Sequence, residues 1–263
     1  MNNVLILRPE QHADGLQQLL QSRAAQLGLK LSVHCHSMVR IQPYDDPAIS
    51  LAEVLHQRWD GALMVSVNAV EHFAAQAANW APGLPMPNCR WYAVGPTTAA
   101  AIAKLVKRPV CCPWREHNSD ALLALPELQQ LAGQRWLLIR ANSGRELFAD
   151  TLRARGAEVH YLSVYQRTLV PLNQEQIMAW QQHVSCIFVS SAEQLGYFLA
   201  AMPRQALSWL QQCRWVVASQ RLADLLPAAL APQAVIADSA TPFAMVEAWQ
   251  QVITHQQEAT PHD

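Results

Sequence analysis

The chain repeats itself. "LILRPEQHADGLQQLL" (5–20) resembles "LLIRANSGRELFADTL" (137–152), and "DGALMVSVNAV" (60–70) resembles "VSCIFVSSAEQL" (184–195). "AVGPTTAAAI" (93–102) resembles "VVASQRLADL" (216–225), and "NSDALLAL" (118–125) resembles "ATPFAMVEAW" (240–249). The order is kept, and the spacing drifts only from 132 residues (Arg8 to Arg140) to 122 (Ser119 to Thr241). Four ordered matches at a nearly constant spacing mean one unit, duplicated and diverged. Each copy alternates short apolar runs with helical patterns, which implies parallel sheets flanked by helices.

Strands are expected at "NVLILR" (3–8), "DGALMVS" (60–66), "RWYAVG" (90–95), "RWLLIR" (135–140), "VSCIFVS" and "RWVVAS", with a short one at "PVCCPW". Residues 30–41 read as extended and 158–170 as one long strand. "NSDALLALPELQQL" (118–131) reads as a helix capped by Ser119.

Several of these strands end in hydroxyls. Ser66, Thr97, Thr98, Ser190, Ser191 and Ser219 each sit at a strand end, just before a helix. A helix start exposes free N–H groups that suit an anion, and the same hydroxyls also suit plain N-capping. A duplicated α/β chain is expected to hold its ligand between two lobes, at the carboxyl ends of the strands.

Composition narrows the partner. Formal net charge is −1, which argues against a general nucleic-acid or membrane-surface binder. The longest apolar runs fall far below the ~18 residues of a membrane helix, and no charged-then-apolar leader opens the chain. A soluble, cytoplasmic protein is expected. Six cysteines form no CxxC pair and read as small core thiols. "HCH" (34–36) puts His34 and His36 on one strand face with no second ligand pair, so no metal is expected. No phosphate loop, GxGxxG or GxSxG is present. Catalysis would then rest on positioning and electrostatics.

Residues 119–167 carry a more specific signal. "GRELFADTLRARGAEV" followed by "VYQR" resembles the central segment of the uroporphyrinogen-III synthase family. "LILRPE", "MVSVNAV" (for the family's F-T-S-x-N-A-V), "AVGPTTAAAI" (for its G-x-x-T-A), "FVSSAEQL" and "VVASQRLA" fall in family order, so the resemblance covers about residues 4–250. It implies two flavodoxin-like lobes joined by two extended crossing segments, near 36–43 and 164–171. The lobes would be 1–38 with 168–263, and 39–167.

The resemblance also implies a reaction. Hydroxymethylbilane, a linear tetrapyrrole with eight carboxylates, loses water and closes to uroporphyrinogen III with inversion of its last ring. No cofactor or metal is implied, and a monomer is expected. Tyr165 matches the family tyrosine that assists departure of the hydroxyl; alternatively it is a packed strand aromatic. Substrate contacts are expected from Thr97, Thr98, Ser66, Ser190, Ser191, Ser219, Arg8, Arg140 and Arg145. Two departures stand out: the family's glycine-rich "RGxGGRE" is "RANSGRE" here, with Ala141 and Ser143, and F-T-S is Met64-Val65-Ser66. The competing readings are a non-catalytic two-lobed binder of an anionic metabolite and a transferase using an activated sugar.

Overall fold

The computed structural model describes residues 2–8, 10–80, 82–144 and 146–258. The chain runs β1 (Asn2–Leu7), α1 (Glu10–Gln26), β2 (Leu31–His36), β3 (Val39–Pro43), α2 (Leu51–His56), β4 (Gly61–Met64), α3 (Val67–Trp80), β5 (Arg90–Tyr92), α4 (Pro96–Val106) and β6 (Val110–Cys111). It continues through α5 (Ser119–Leu123), β7 (Arg135–Ala141), α6 (Leu147–Ala154), β8 (Glu158–Leu169), α7 (Gln174–His183) and β9 (Val184–Val189). It ends with α8 (Ala192–Ala201), α9 (Leu207–Gln212), β10 (Arg214–Val217), α10 (Gln220–Ala223), β11 (Ala234–Ile236) and α11 (Pro242–Glu258). Two compact units result. One holds residues up to Arg40 and from Leu169 onward, the other Ile41–Thr168.

The first unit is a sheet of order β11-β10-β9-β1-β2, and its strands pair in parallel. Parallel strands covered on both faces are apolar throughout rather than alternating. "VLIL" of β1, "CIFV" of β9 and "WVV" of β10 are all buried. Leu16 and Leu20 of α1 and Met245 and Trp249 of α11 join that core.

The second unit has the order β3-β8-β7-β4-β5-β6. Side chains alternate across a strand, so β7 feeds two separate cores. Leu137 and Ile139 pack with Ala62, Met64 and Leu162 under Val70 and Phe73 of α3 and Ile102 of α4. Trp136 and Leu138 pack on the other face with Leu63, Tyr92, Leu122 of α5 and Phe148 and Leu152 of α6. A Cβ at Gly61 would lie 2.6 Å from the Trp136 ring, so any side chain at the first residue of β4 would force the ring or the strand to shift.

The repeat is visible in both sheets. Strands β11, β10, β9, β1, β2 of one unit occupy the places of β6, β5, β4, β7, β8 in the other. The first two matched pairs fall on equivalent strands and the helices after them, the third on the junctions after β5 and β10, and the fourth on helices α5 and α11. Both sheets follow the flavodoxin-like order, the second starting from its central strand. In each, the strand order reverses at one point: β1 against β9, and β7 against β4.

Three local expectations change. Residues 30–41 are two strands, interrupted at Ser37-Met38. The 118–131 helix is only α5, followed by a 3₁₀ turn at Pro126–Leu128. Pro126 brings no N–H to continue the helix. Its cap is Asn118, whose side chain accepts from the Ala121 N–H at 2.8 Å, one residue before the serine expected in that role.

Among the described residues, no helix is long and apolar enough to cross a membrane. Likewise no cluster of three or more His, Cys, Asp or Glu could hold a metal.

Candidate functional site

In the second unit a cleft of about 500 Å³ opens at the carboxyl ends of the strands. Its lining includes Val65 and Ser66 after β4, Ser143 and Gly144 after β7, and Asn118 and Asp120 at the start of α5. Tyr165 and Arg167 of β8 complete it. This is the strand-reversal point between β7 and β4, where open parallel sheets bind ligands.

A bulge brings Tyr165 there. β8 pairs with β7 up to Arg140 opposite Ser163, but Ala141 stands opposite Tyr165, leaving Val164 as an extra residue. A bulge of this kind re-aims the side chains that follow it. Val164 and Tyr165 are both buried although adjacent, and the main chain is re-tied by the Asn142 N–H to Tyr165 O bond at 2.9 Å. Tyr165 is 6% exposed. Its phenol oxygen lies 3.2 Å from Ser66 Oγ. Ser66 also accepts from the Ala69 N–H at 3.2 Å, capping α3. Arg167 follows two residues later, on the same side of the strand.

Arg140 is placed differently from its expected role. It is 8% exposed and bonds inward: Nη1 to Glu146 Oε1 at 2.7 Å and Nε to the Ala141 carbonyl at 3.2 Å. Its guanidinium lies 4.8 Å from the Tyr161 ring centre, and the Tyr161 hydroxyl donates to the other oxygen of Glu146. The Tyr161 hydroxyl and then Arg140 hold the Glu146 carboxyl below its ordinary range. Burial, then the Glu146 carboxylate, pushes the Tyr161 phenol up. Arg140 thus braces the turn that carries Ser143 and Gly144. Arg145 lies outside the described residues.

Thr97 and Thr98 do not cap α4. The cap is Gly95, which has no side chain to offer, and Pro96 takes the first helical position. Neither threonine is part of the cleft lining.

In the first unit, Arg8 follows β1 and donates to Ser190 Oγ through Nη2 at 2.7 Å and Nε at 3.2 Å. This pair marks the equivalent reversal point, β1 against β9. Ser191 caps α8 and Ser219 caps α10, each accepting from the N–H three residues on. The sequence reading thus nominated Ser66 and Tyr165, which meet, and Arg8 and Ser190, which also meet. It missed Arg167, Asn118 and Ser143. The position of Arg167, two residues beyond Tyr165 on a strand, was the available signal.

Comparison with known proteins now bears on this geometry. The family model described as uroporphyrinogen-III synthase HemD matches residues 18–247. The uroporphyrinogen-III synthase of Escherichia coli (strain K12) is 39% identical over 163 residues, 61% of this chain and 66% of the relative. That of Salmonella typhimurium is 38% identical over 164 residues, 61% of this chain and 67% of the relative. The aligned stretch therefore spans about two thirds of each relative's own length. A mutant uroporphyrinogen III synthase from the extremely thermophilic bacterium Thermus thermophilus shares the fold at TM-score 0.63 and 17% identity, covering 97% of this chain and all of that one. The uroporphyrinogen-III synthetase of Helicobacter pylori 26695 does so at TM-score 0.56 and 13% identity, covering 96% of this chain and all of that one.

Proposed function

The chain belongs to the uroporphyrinogen-III synthase family, and on that premise we propose that it converts hydroxymethylbilane to uroporphyrinogen III. The observation that carries this reading is the Tyr165–Ser66 pair, 3.2 Å apart in a cleft at the strand-reversal point. A phenol is protonated near neutrality and can donate to a departing oxygen. Tyr165 donates to the hydroxyl of the first ring's hydroxymethyl group as its C–O bond breaks, and water leaves. The last ring attacks the resulting electrophile through its substituted carbon. The spiro intermediate reopens and recloses with that ring inverted. The proton lost by the carbon that closes the macrocycle restores the phenol. Ser66 holds the phenol oxygen in place.

Substrate carboxylates are taken by the helix N-terminus at Asn118 and Ser119, by Arg167, and by Arg8 with Ser190, Ser191 and Ser219. Thr97 and Thr98, whose hydroxyls are not spent on capping, are available for the same task, and Arg145 is assigned to it from the motif alone. No cofactor, metal, nucleic acid or membrane takes part, and the chain works as a cytoplasmic monomer.

The test is a coupled assay that supplies freshly made hydroxymethylbilane and separates the product isomers. Spontaneous closure gives isomer I, so isomer III in excess of it is the expected result. Isomer I alone, with bound but unconverted tetrapyrrole, would favour a binding protein instead.

A further inference from the structure

One helix meets Tyr165 at two heights and the residue before it at a third. Ser66, the cap of α3, meets the phenol oxygen. His72, further along α3, lies nearly parallel to the phenol ring, with centroids 5.7 Å apart and planes 20° apart. Gln76 follows four residues later on the same helical face. It is buried, and its Nε2 donates to the Tyr44 carbonyl at 2.8 Å, the Val164 carbonyl at 3.3 Å and Asp45 Oδ1 at 3.4 Å. Val164 is the extra residue of the bulge, and its carbonyl also receives the Tyr44 N–H at 3.1 Å. The rest of this helix face is apolar, with Ala69, Val70, Phe73 and Ala77 buried. A buried amide in such a face is tolerated only when its hydrogen bonds are made. Here one of them reaches the Val164 carbonyl in the bulge that delivers Tyr165, and the other two reach Tyr44 and Asp45, the segment whose Tyr44 N–H bonds the same Val164 carbonyl.

We infer that His72 and Gln76 are positioning residues for Tyr165: Gln76 fixes the bulge in β8, and His72 fixes the plane of the phenol ring. The two act through the phenol and touch no reacting atom. This rests on the reaction proposed above. Catalysis by a positioned donor is sensitive to small displacements, so loosening either support lowers turnover more than binding.

The experiment is a double-mutant cycle on the full chain, read as kcat and KM for isomer-III formation over a range of hydroxymethylbilane concentrations. His72→Ala is expected to lower kcat roughly tenfold with KM within about twofold, and His72→Phe, which keeps a stacked ring, to restore most of the loss. In a Tyr165→Phe background the same His72→Ala change is expected to alter kcat by less than about twofold, because the group being positioned is gone. Gln76→Leu should show the same dependence on Tyr165. If it does not fold, as a thermal melt would reveal, the His72 arm decides alone. Additive losses, an effect on KM alone, or a His72→Phe no better than His72→Ala overturns the inference while leaving the reaction standing. A wild-type chain that makes no isomer III overturns the reaction and the inference together.

Discussion

The Tyr165 phenol oxygen and Ser66 Oγ lie 3.2 Å apart although 99 residues separate them in the chain. One comes from the long β8, the other from the turn after β4, two strands away across β7. Tyr165→Phe removes the donor and keeps the ring, its stacking and its burial. The rate of isomer-III formation should fall about 10²–10⁴-fold if the phenol is a general acid. Ser66→Ala should fall less, about tenfold, because the phenol keeps its proton and loses only its anchor; α3 also loses a cap, costing about 1 kcal/mol. Steady-state rates with a denaturation curve for each variant separate the two effects. A Ser66→Ala loss equal to that of Tyr165→Phe would move the chemistry to the serine.

The hydroxyls that precede helices divide by what they already do. Ser191 accepts from the Gln194 N–H at 3.4 Å, whereas α4 has no side-chain cap. Ser191→Ala should therefore lower the urea midpoint by the equivalent of about 1 kcal/mol. Thr98→Val should stay within about 0.5 kcal/mol of wild type. A lower midpoint for Thr98→Val would mean that its hydroxyl supports α4 after all.

Much of this was legible in the sequence for a physical reason. Parallel strands buried on both faces leave continuous apolar runs, and the duplication places each run twice. "NVLILR" and "RWLLIR" could thus be matched as equivalent strands, β1 and β7, from the repeat alone. What escaped were features set by tertiary pairing. The bulge at Val164 exists only in the register of β8 against β7. Nothing local in "SVYQR" distinguishes it from a straight strand. Arg140 and Arg8 were paired correctly by the repeat, yet one turned inward to Glu146 and the other to Ser190. Arginine's length makes both reachable from the same strand end. The cap at Asn118 was missed because Asn and Ser are equally good caps, and only the turn geometry chooses between them.

Gly61 offers a test of the core beneath the cleft. Its backbone is crowded by Trp136, with ring atoms 2.6–2.7 Å from where a Cβ would stand. Trp136 is fully buried among Leu63, Tyr92 and Leu138, so the ring has no room to retreat. Gly61→Ala should destabilise by about 1–3 kcal/mol through overpacking. A compensating Trp136→Phe in the same chain should recover part of that loss, since the smaller ring vacates the clash. Equilibrium unfolding of the single and double variants measures both. A neutral Gly61→Ala would show that the strand shifts to accept the methyl.

Glu146 gives a pH dependence with a fixed sign. The Tyr161 hydroxyl first, and Arg140 next, lower its carboxyl below the ordinary 4.5. A carboxyl lowered in the folded state contributes stability that is complete above its ordinary value and is lost as pH falls through the lowered one. The contribution is small, because the Glu146 side chain is 50% exposed and screened by solvent. Glu146→Gln keeps an acceptor for Tyr161 but removes the charge that Arg140 meets. At pH 7 the variant should therefore unfold at slightly lower urea than wild type. As pH falls below 4.5 the wild-type midpoint should fall faster, so that the two curves converge. Glu146 makes no hydrogen bond to Tyr165 among those described, so the same variant should loosen the turn bearing Ser143 and Gly144 and raise KM rather than lower kcat. Urea midpoints at pH 7, 5, 4 and 3 test the first expectation, and steady-state kinetics at pH 7 the second. A gap that stays constant down to pH 3 would mean that shape, and not charge, is what Arg140 and Tyr161 read in Glu146.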